Sequence, residues 1–268
     1  MSLSGCQLDF LKNIKIIFSD IKIAHTVFAL PFAVMSAFLA AKGMPDFDKL
    51  IWILIAMFTA RNGAMAFNRI ADTKIDRLNP RTKDRALPAG KSTAIQYWIF
   101  LILSSLVFLF SAYMLNSLAF ALSPVALGIV FGYSFAKRFT SLSHLWLGVA
   151  ISIAPVGAWV AIREAISIEP LVLGAAVVFW LIGFDIIYSC MDVDSDKVNN
   201  LHSIPQKFGV RTALRFAFSS HCMMILFLTS LLFIPALGWV YFFGVILTAG
   251  LLFYEHSLVR EDDLSLVN

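Results

Sequence analysis

Residues 50–90 read LIWILIAMFTARNGAMAFNRIADTKIDRLNPRTKDRALPAG. The first part, 50–67, is apolar apart from Arg61 and a few small polar residues, and it is about as long as a bilayer crossing requires. From 67 onward the character reverses: 24 residues carry nine charges, in a chain that is 14% charged overall. The same two-part pattern, an apolar run ending in a charged stretch, organises the rest of the sequence.

Seven further apolar runs lie at 24–41, 95–114, 117–135, 145–162, 170–191, 212–231 and 235–254. The 268 residues are 59% hydrophobic and include 25 Phe, and the mean hydropathy is +0.81. That is more apolar surface than a water-soluble core can use. The runs are too long for barrel strands and lack their alternation, and in lipid every backbone polar group must be satisfied within the segment. The expected fold is all-α, a polytopic membrane helical bundle with eight transmembrane helices. One membrane domain is expected over 1–268, without a Gly/Ser linker or low-complexity stretch.

Lys and Arg set the expected orientation. Of 21, Lys42, Lys49 and Arg163 fall on one side, Arg61 falls inside a run, and all the others fall on the opposite side. Both termini and the long basic loops are therefore expected to face the cytoplasm, in a bacterial inner membrane. Topology thus accounts for the net charge of +4, and no aromatic-basic stripe suggests nucleic acid. Cys6, Cys190 and Cys222 are far apart in sequence, and no disulfide framework is expected of them. The first 20 residues lack the apolar core and cleavage site of a secretory signal and read as a short amphipathic entry to the first helix.

Loop size is uneven. The segments near 68–94 and 192–211 are long and charged, and each passes from acids through bases to a turn signal, PAG at 88–90 and FG at 208–209. In the first, Asn68, Asp72 and Asp76 are spaced i, i+4, i+8, which places them on one helical face, and Arg61 lies about 20° from Asn68. In the second, Asp185, Tyr188, Asp192 and Asp196 share a stripe about 80° wide. Acids at membrane depth are costly, so Asp185 and Asp192 are functional candidates. Carboxylates with a carboxamide are hard oxygen donors suited to Mg²⁺, which keeps waters and is completed by substrate phosphates. Arg77, Arg81, Lys83 and Arg85 follow the first acids, and Lys137 and Arg138 come from a neighbouring loop. Acids and bases around one mouth describe a metal-diphosphate site. The blander alternative, interfacial charges paired with one another, does not explain two rows of acid at helical spacing.

These residues resemble a known family. NRIADTKID with NPRTKDRALPAG, and DIIYSCMDVDSD, are similar to the paired Asp-rich motifs of the UbiA superfamily of intramembrane aromatic prenyltransferases. FGYSFAKRFT at 131–140 and SIAPVGAWVA at 152–161 extend the resemblance from about residue 20 to 215. It implies a bundle around a central cavity, with a polyprenyl diphosphate held by Mg²⁺ and its tail in an apolar tunnel. By position it implies Asn68, Asp72 and Asp76 at one metal and Asp192 and Asp196 at the other. Arg77, Arg81, Lys83, Arg85, Lys137 and Arg138 would contact phosphate or lid, and Asp185 and Tyr188 would shape the pocket near the reacting carbons. The expected partners are a polyprenyl diphosphate, an aromatic acid and the lipid bilayer. The segments 21–40, 67–82 and 184–209 look like the branch of 4-hydroxybenzoate polyprenyltransferases and of the prenyltransferase of the futalosine menaquinone route.

Some features depart from the family pattern. Arg69 stands where an Asp usually follows the Asn, Asn200-Leu201-His202-Ser203 replaces Gly-Ile-Lys-Ser, and no ninth apolar run follows the eighth. Arg61 either holds an acidic acceptor or pairs with an Asp. Tyr133 either stabilises a cation or belongs to an interfacial belt. His25 either packs near the first helix or meets a substrate. The competing class is an ion-coupled transporter using intramembrane carboxylates. Transporters place such acids near the midplane, beside broken helices, whereas here they lie at helix ends among bases.

Overall fold

The structure, a computed structural model, describes residues 15–21, 30–234, 237–261, 264 and 267. A short helical segment at 15–20 precedes α1 (Leu30–Ala41), α2 (Phe47–Leu78), α3 (Ala94–Leu115), α4 (Ser117–Ala136), α5 (Ser143–Arg163) and α6 (Ile168–Ser189). A 3₁₀ turn at Cys190–Asp192 leads into α7 (Val193–Val198), followed by α8 (Ile204–Phe208), α9 (Val210–Ser230) and α10 (Trp239–Leu258). Among the described residues there is no strand.

Seven of these helical stretches are long and apolar enough to cross a membrane. The remaining expected span, 24–41, is represented by the 12-residue α1; residues 22–29, and with them His25, lie outside the described residues. The last span begins at Trp239 and runs to Leu258, four residues later than the apolar run suggests.

The helix that decides the site is α2. Its 32 residues extend about 48 Å at 1.5 Å per residue, well beyond a hydrocarbon layer of roughly 30 Å. The apolar run ends at 67, but nothing breaks the helix until Asn79-Pro80, where Asn79 takes the extended conformation that a following proline enforces. Asn68, Asp72 and Asp76 therefore ride on continuous helix past the apolar zone. The loop closes through Gly90 at φ +69°, and α3 then starts on a reciprocal cap. There the Gln96 N–H donates to Thr93 Oγ1 at 3.4 Å and the Thr93 N–H donates to Gln96 Oε1 at 2.9 Å.

In the bundle, α2 runs along α3, α4 packs on α3 and α5, α5 on α6, and α6 on α9, while α1 lies against α5. Small residues allow the closest of these approaches. A Cβ on Gly148 would sit 2.8 Å from the Val178 carbonyl oxygen, and one on Gly183 would sit 2.3 Å from His221 Nε2. These contacts hold α6 between α5 and α9, so its acidic end has a fixed place.

Candidate active site

The C-terminal end of α2 presents two buried carboxylates. Asp72, 1% exposed, accepts from Asn68 Nδ2 at 3.1 Å, Lys137 Nζ at 2.7 Å and Arg138 Nη2 at 3.3 Å. Asp76 accepts from Arg85 Nη1 at 2.7 and 2.8 Å on its two oxygens, while Thr82 Oγ1 donates to the Asp76 carbonyl at 3.0 Å. The loop after α2 thus folds back onto the helix that precedes it.

The same loop reaches across to α6. Arg81 grips Asp192 in a bidentate pair through Nε, at 3.0 Å, and Nη2. Its Nη1 donates to Tyr188 Oη at 3.2 Å, and its guanidinium carbon lies 5.0 Å from the Tyr188 ring centroid. Asn79 Nδ2 adds a bond to Asp192 at 3.3 Å. Burial pulls the Arg81 guanidinium pKa down, but the hydrogen bond and charge of Asp192, with Tyr188, more than compensate, and the net direction is up. The loop that follows the first Asp-rich segment is therefore joined directly to the second, through Arg81 and Asn79.

The second segment changes helix type at residues 190–192. Asp192 and Asp196 are half-buried, while Asp194 between them is exposed. Asp196 accepts from Ser203 Oγ at 2.8 Å. Asp185, two turns before Asp192, accepts from His144 Nδ1 at 2.7 Å.

Some expected residues lie apart. Arg77 and Lys83 are exposed, and among the described residues their side chains make no hydrogen bond or ion pair to this cluster. Arg61 donates to the Ile21 carbonyl at 2.9 Å and to Asn62 Oδ1 at 3.2 Å. Tyr133 lies within electrostatic reach of both Arg61 and Asp72. Arg69, the departure from the family motif, turns to Asp20: Nη2 donates to its carbonyl at 2.8 Å, and Nε forms an ion pair at 3.2 Å that is not aligned as a hydrogen bond. Sequence reasoning missed His144, Asp20 and Ser203. None carries a periodic signal, and each has a partner far along the chain or across a turn.

The donor set fits Mg²⁺ in kind, since Asn68, Asp72, Asp76, Asp192 and Asp196 offer only hard oxygen ligands besides the amide nitrogen. Among the described residues no three His, Cys, Asp or Glu side chains converge closely enough to hold a metal ion by themselves.

Residues 29–267 match the UbiA prenyltransferase family. The chain belongs to this family. It is an integral membrane prenyltransferase, and membership sets the ion-coupled transport alternative aside. Among curated relatives, the 4-hydroxybenzoate octaprenyltransferase of Vibrio atlanticus is 35% identical over 240 residues, covering 86% of this chain and 81% of the relative. That of Tolumonas auensis is 31% identical over 229 residues, covering 83% and 78%. Among solved structures, the apo UbiA homolog of Aeropyrum pernix K1 superposes with a TM-score of 0.84 at 34% identity, over 92% of this chain and 93% of that one. The Archaeoglobus fulgidus homolog described as bound to DMAPP and Mg²⁺ shares the fold, with a TM-score of 0.74 at 19% identity over 91% and 86%.

Proposed function

We propose that this prenyltransferase moves a polyprenyl group from its diphosphate onto an aromatic acid, 4-hydroxybenzoate or a dihydroxynaphthoate, in ubiquinone or menaquinone biosynthesis. The observation that carries the reading is the bridge from Arg81 to Asp192 and Tyr188, flanked by Arg85 on Asp76 and Lys137 on Asp72. Acids from two segments and bases from two loops interleave in one place, as recognition of a metal-bound diphosphate requires. The names of the Vibrio and Tolumonas relatives support the transfer to 4-hydroxybenzoate, and the Archaeoglobus homolog supports Mg²⁺ for this fold.

Asn68, Asp72 and Asp76 would hold one Mg²⁺, and Asp192 and Asp196 a second. The ion supplies charge neutralisation of the diphosphate, which eases its departure. Arg81, Arg85, Lys137 and Arg138 bind and orient the phosphates, exchanging carboxylate for phosphate partners of the same geometry. The apolar helices keep water from the allylic carbon as its bond to oxygen weakens. Arg61, with Tyr133 near it, would hold the carboxylate of the acceptor. Arg77 and Lys83, exposed at the rim, serve as lid residues. The site would face the cytoplasm, the side expected to hold most of the Lys and Arg, in a bacterial inner membrane.

The test is purified protein with radiolabelled prenyl diphosphate and a panel of benzoate and naphthoate acceptors, with and without chelator. Prenylated aromatic product that requires Mg²⁺ is the expected result. Product formed in chelator would refute the metal site, and diphosphate hydrolysis with no acceptor consumed would refute the transfer.

A further inference from the structure

Three residues from separate elements meet behind the acidic face of α6. His144, in the first turn of α5, is 2% exposed. Its Nδ1 lies 2.7 Å from Asp185 Oδ2, and its Nε2 lies 3.3 Å from the backbone nitrogen of Ile204, at the start of α8. A backbone N–H can only donate, so Nε2 is the acceptor and carries no proton. The ring proton therefore sits on Nδ1 and is donated to Asp185. Its two neighbours thus fix the tautomer of His144.

That arrangement leaves Asp185 with one oxygen engaged. Among the described residues no hydrogen bond is made to its Oδ1, and its side chain is 31% exposed. Asp185 lies seven residues before Asp192, about 10 Å deeper along the helix, in the apolar sequence LIGFDIIY. A carboxylate at that depth is costly and calls for a purpose. It is also too far from Asp192 to share its work on phosphate. On the reading above, the diphosphate lies at the level of Asp192 and the reacting carbons lie deeper, toward Asp185.

We propose that His144 is a positioning residue for the acceptor step, holding Asp185 so that its free oxygen takes the proton released by the aromatic ring. This rests on the prenyl-transfer reading. In the step, a ring carbon bonds to the allylic carbon, and the carbon–oxygen bond to diphosphate breaks with its electron pair leaving on the phosphate. The hydrogen on the attacked ring carbon then passes as a proton to Asp185 Oδ1, and the electrons of that carbon–hydrogen bond restore aromaticity. His144 cannot itself be the base, because its Nε2 lone pair is occupied by the Ile204 N–H and its Nδ1 already carries a proton. It fixes the rotamer of Asp185 and keeps Oδ2 occupied, so that basicity is directed through Oδ1.

Two substitutions separate the two bonds of His144. In His144→Asn the amide nitrogen stands where Nδ1 stood and can still donate to Asp185. In His144→Gln the longer amide reaches the Nε2 position and can still accept from Ile204. Each variant, with Asp185→Asn, is purified in detergent as the full chain and assayed for kcat, for KM of prenyl diphosphate, and with acceptor deuterated at the reacting ring carbon. His144→Asn is expected to keep kcat within about threefold. His144→Gln and Asp185→Asn are expected to lose about 10²-fold in kcat, the low end for general-base catalysis, with KM for prenyl diphosphate unchanged and a primary isotope effect emerging. The reverse order of Asn and Gln, equal loss in both, or a loss carried by KM would overturn the proposal. Should the His144 variants fail to fold, Asp185→Asn decides alone: an unchanged kcat, or no isotope effect, overturns it. Absence of prenylated product from the wild-type protein would instead sink the transfer reading, and this inference with it.

Discussion

Asp20 joins three parts of the chain, and its removal has a calculable cost. Its Oδ2 accepts from Tyr97 Oη at 2.6 Å and pairs with Arg69, and its Oδ1 accepts from the Ala86 N–H at 2.9 Å. Arg69 is 3% exposed. Asp20→Ala therefore leaves a buried guanidinium without its counter-charge, for which about 3–5 kcal/mol is typical. Arg69 keeps its bond to the Asp20 carbonyl, so the lower end, about 3 kcal/mol, applies here. For a chain of this size that corresponds to a fall in Tm of roughly 6–12 °C. The assay is thermal unfolding in detergent, at one scan rate, of wild type, Asp20→Ala, and Asp20→Ala combined with Arg69→Met. Replacing both partners of a buried pair by apolar groups is often neutral, so the double variant should recover the share of the loss that comes from the unpaired guanidinium, while Tyr97 Oη and the Ala86 N–H lack Asp20 in both variants. A single variant within about 1 kcal/mol of wild type, or a double variant no better than the single, would refute the idea that Arg69 serves the entry segment rather than the metal site.

Asp72→Ala and Asp192→Ala should each lower prenyl transfer by about 10²-fold or more, comparable to loss of one fixed electrostatic partner in a catalytic site, measured as product at saturating Mg²⁺. Arg61→Leu should raise KM for the aromatic acid at least tenfold while leaving KM for prenyl diphosphate near wild type, as steady-state kinetics in both substrates would report. Gly183→Ala should destabilise by about 1–3 kcal/mol, because the new Cβ would overlap His221 and overpacking carries that cost; unchanged unfolding would show that α9 can shift.

Much of the fold is legible because its signal is local. A run such as 95–114 has one physical meaning in lipid, and the boundaries of α3 follow from Thr93 before it and Asn116 after it. The length of α2 is less legible, since hydropathy falls at 67 while the helix ends at Leu78. The decisive residue there is Pro80, which acts on Asn79 and leaves the polar stretch before it free to stay helical. The start of the last helix slipped for the opposite reason: IPALG at 234–238 is apolar, but Pro and Gly do not sustain a helix interior.

The acids of the site were legible for the same reason as the helices, because spacing at i, i+4 and i+8 is a property of one helix. Their partners were not. That Arg81 serves Asp192 and Arg85 serves Asp76 depends on how the loop at 79–93 folds back, and two bases four residues apart read alike in sequence. Carboxylates as buried as Asp72 and Asp76 need counter-charges wherever the chain folds, so bases nearby were to be expected. The structure adds that four of the six expected phosphate-clamping bases are these same counter-charges. A base already held against an acid by two hydrogen bonds is pre-oriented for an oxyanion of similar shape, so less rotamer entropy remains to be lost when a phosphate takes the place of the carboxylate. Arg77 and Lys83 lack that preparation, and for that reason their loss should weaken the site less than the loss of Arg81 or Arg85.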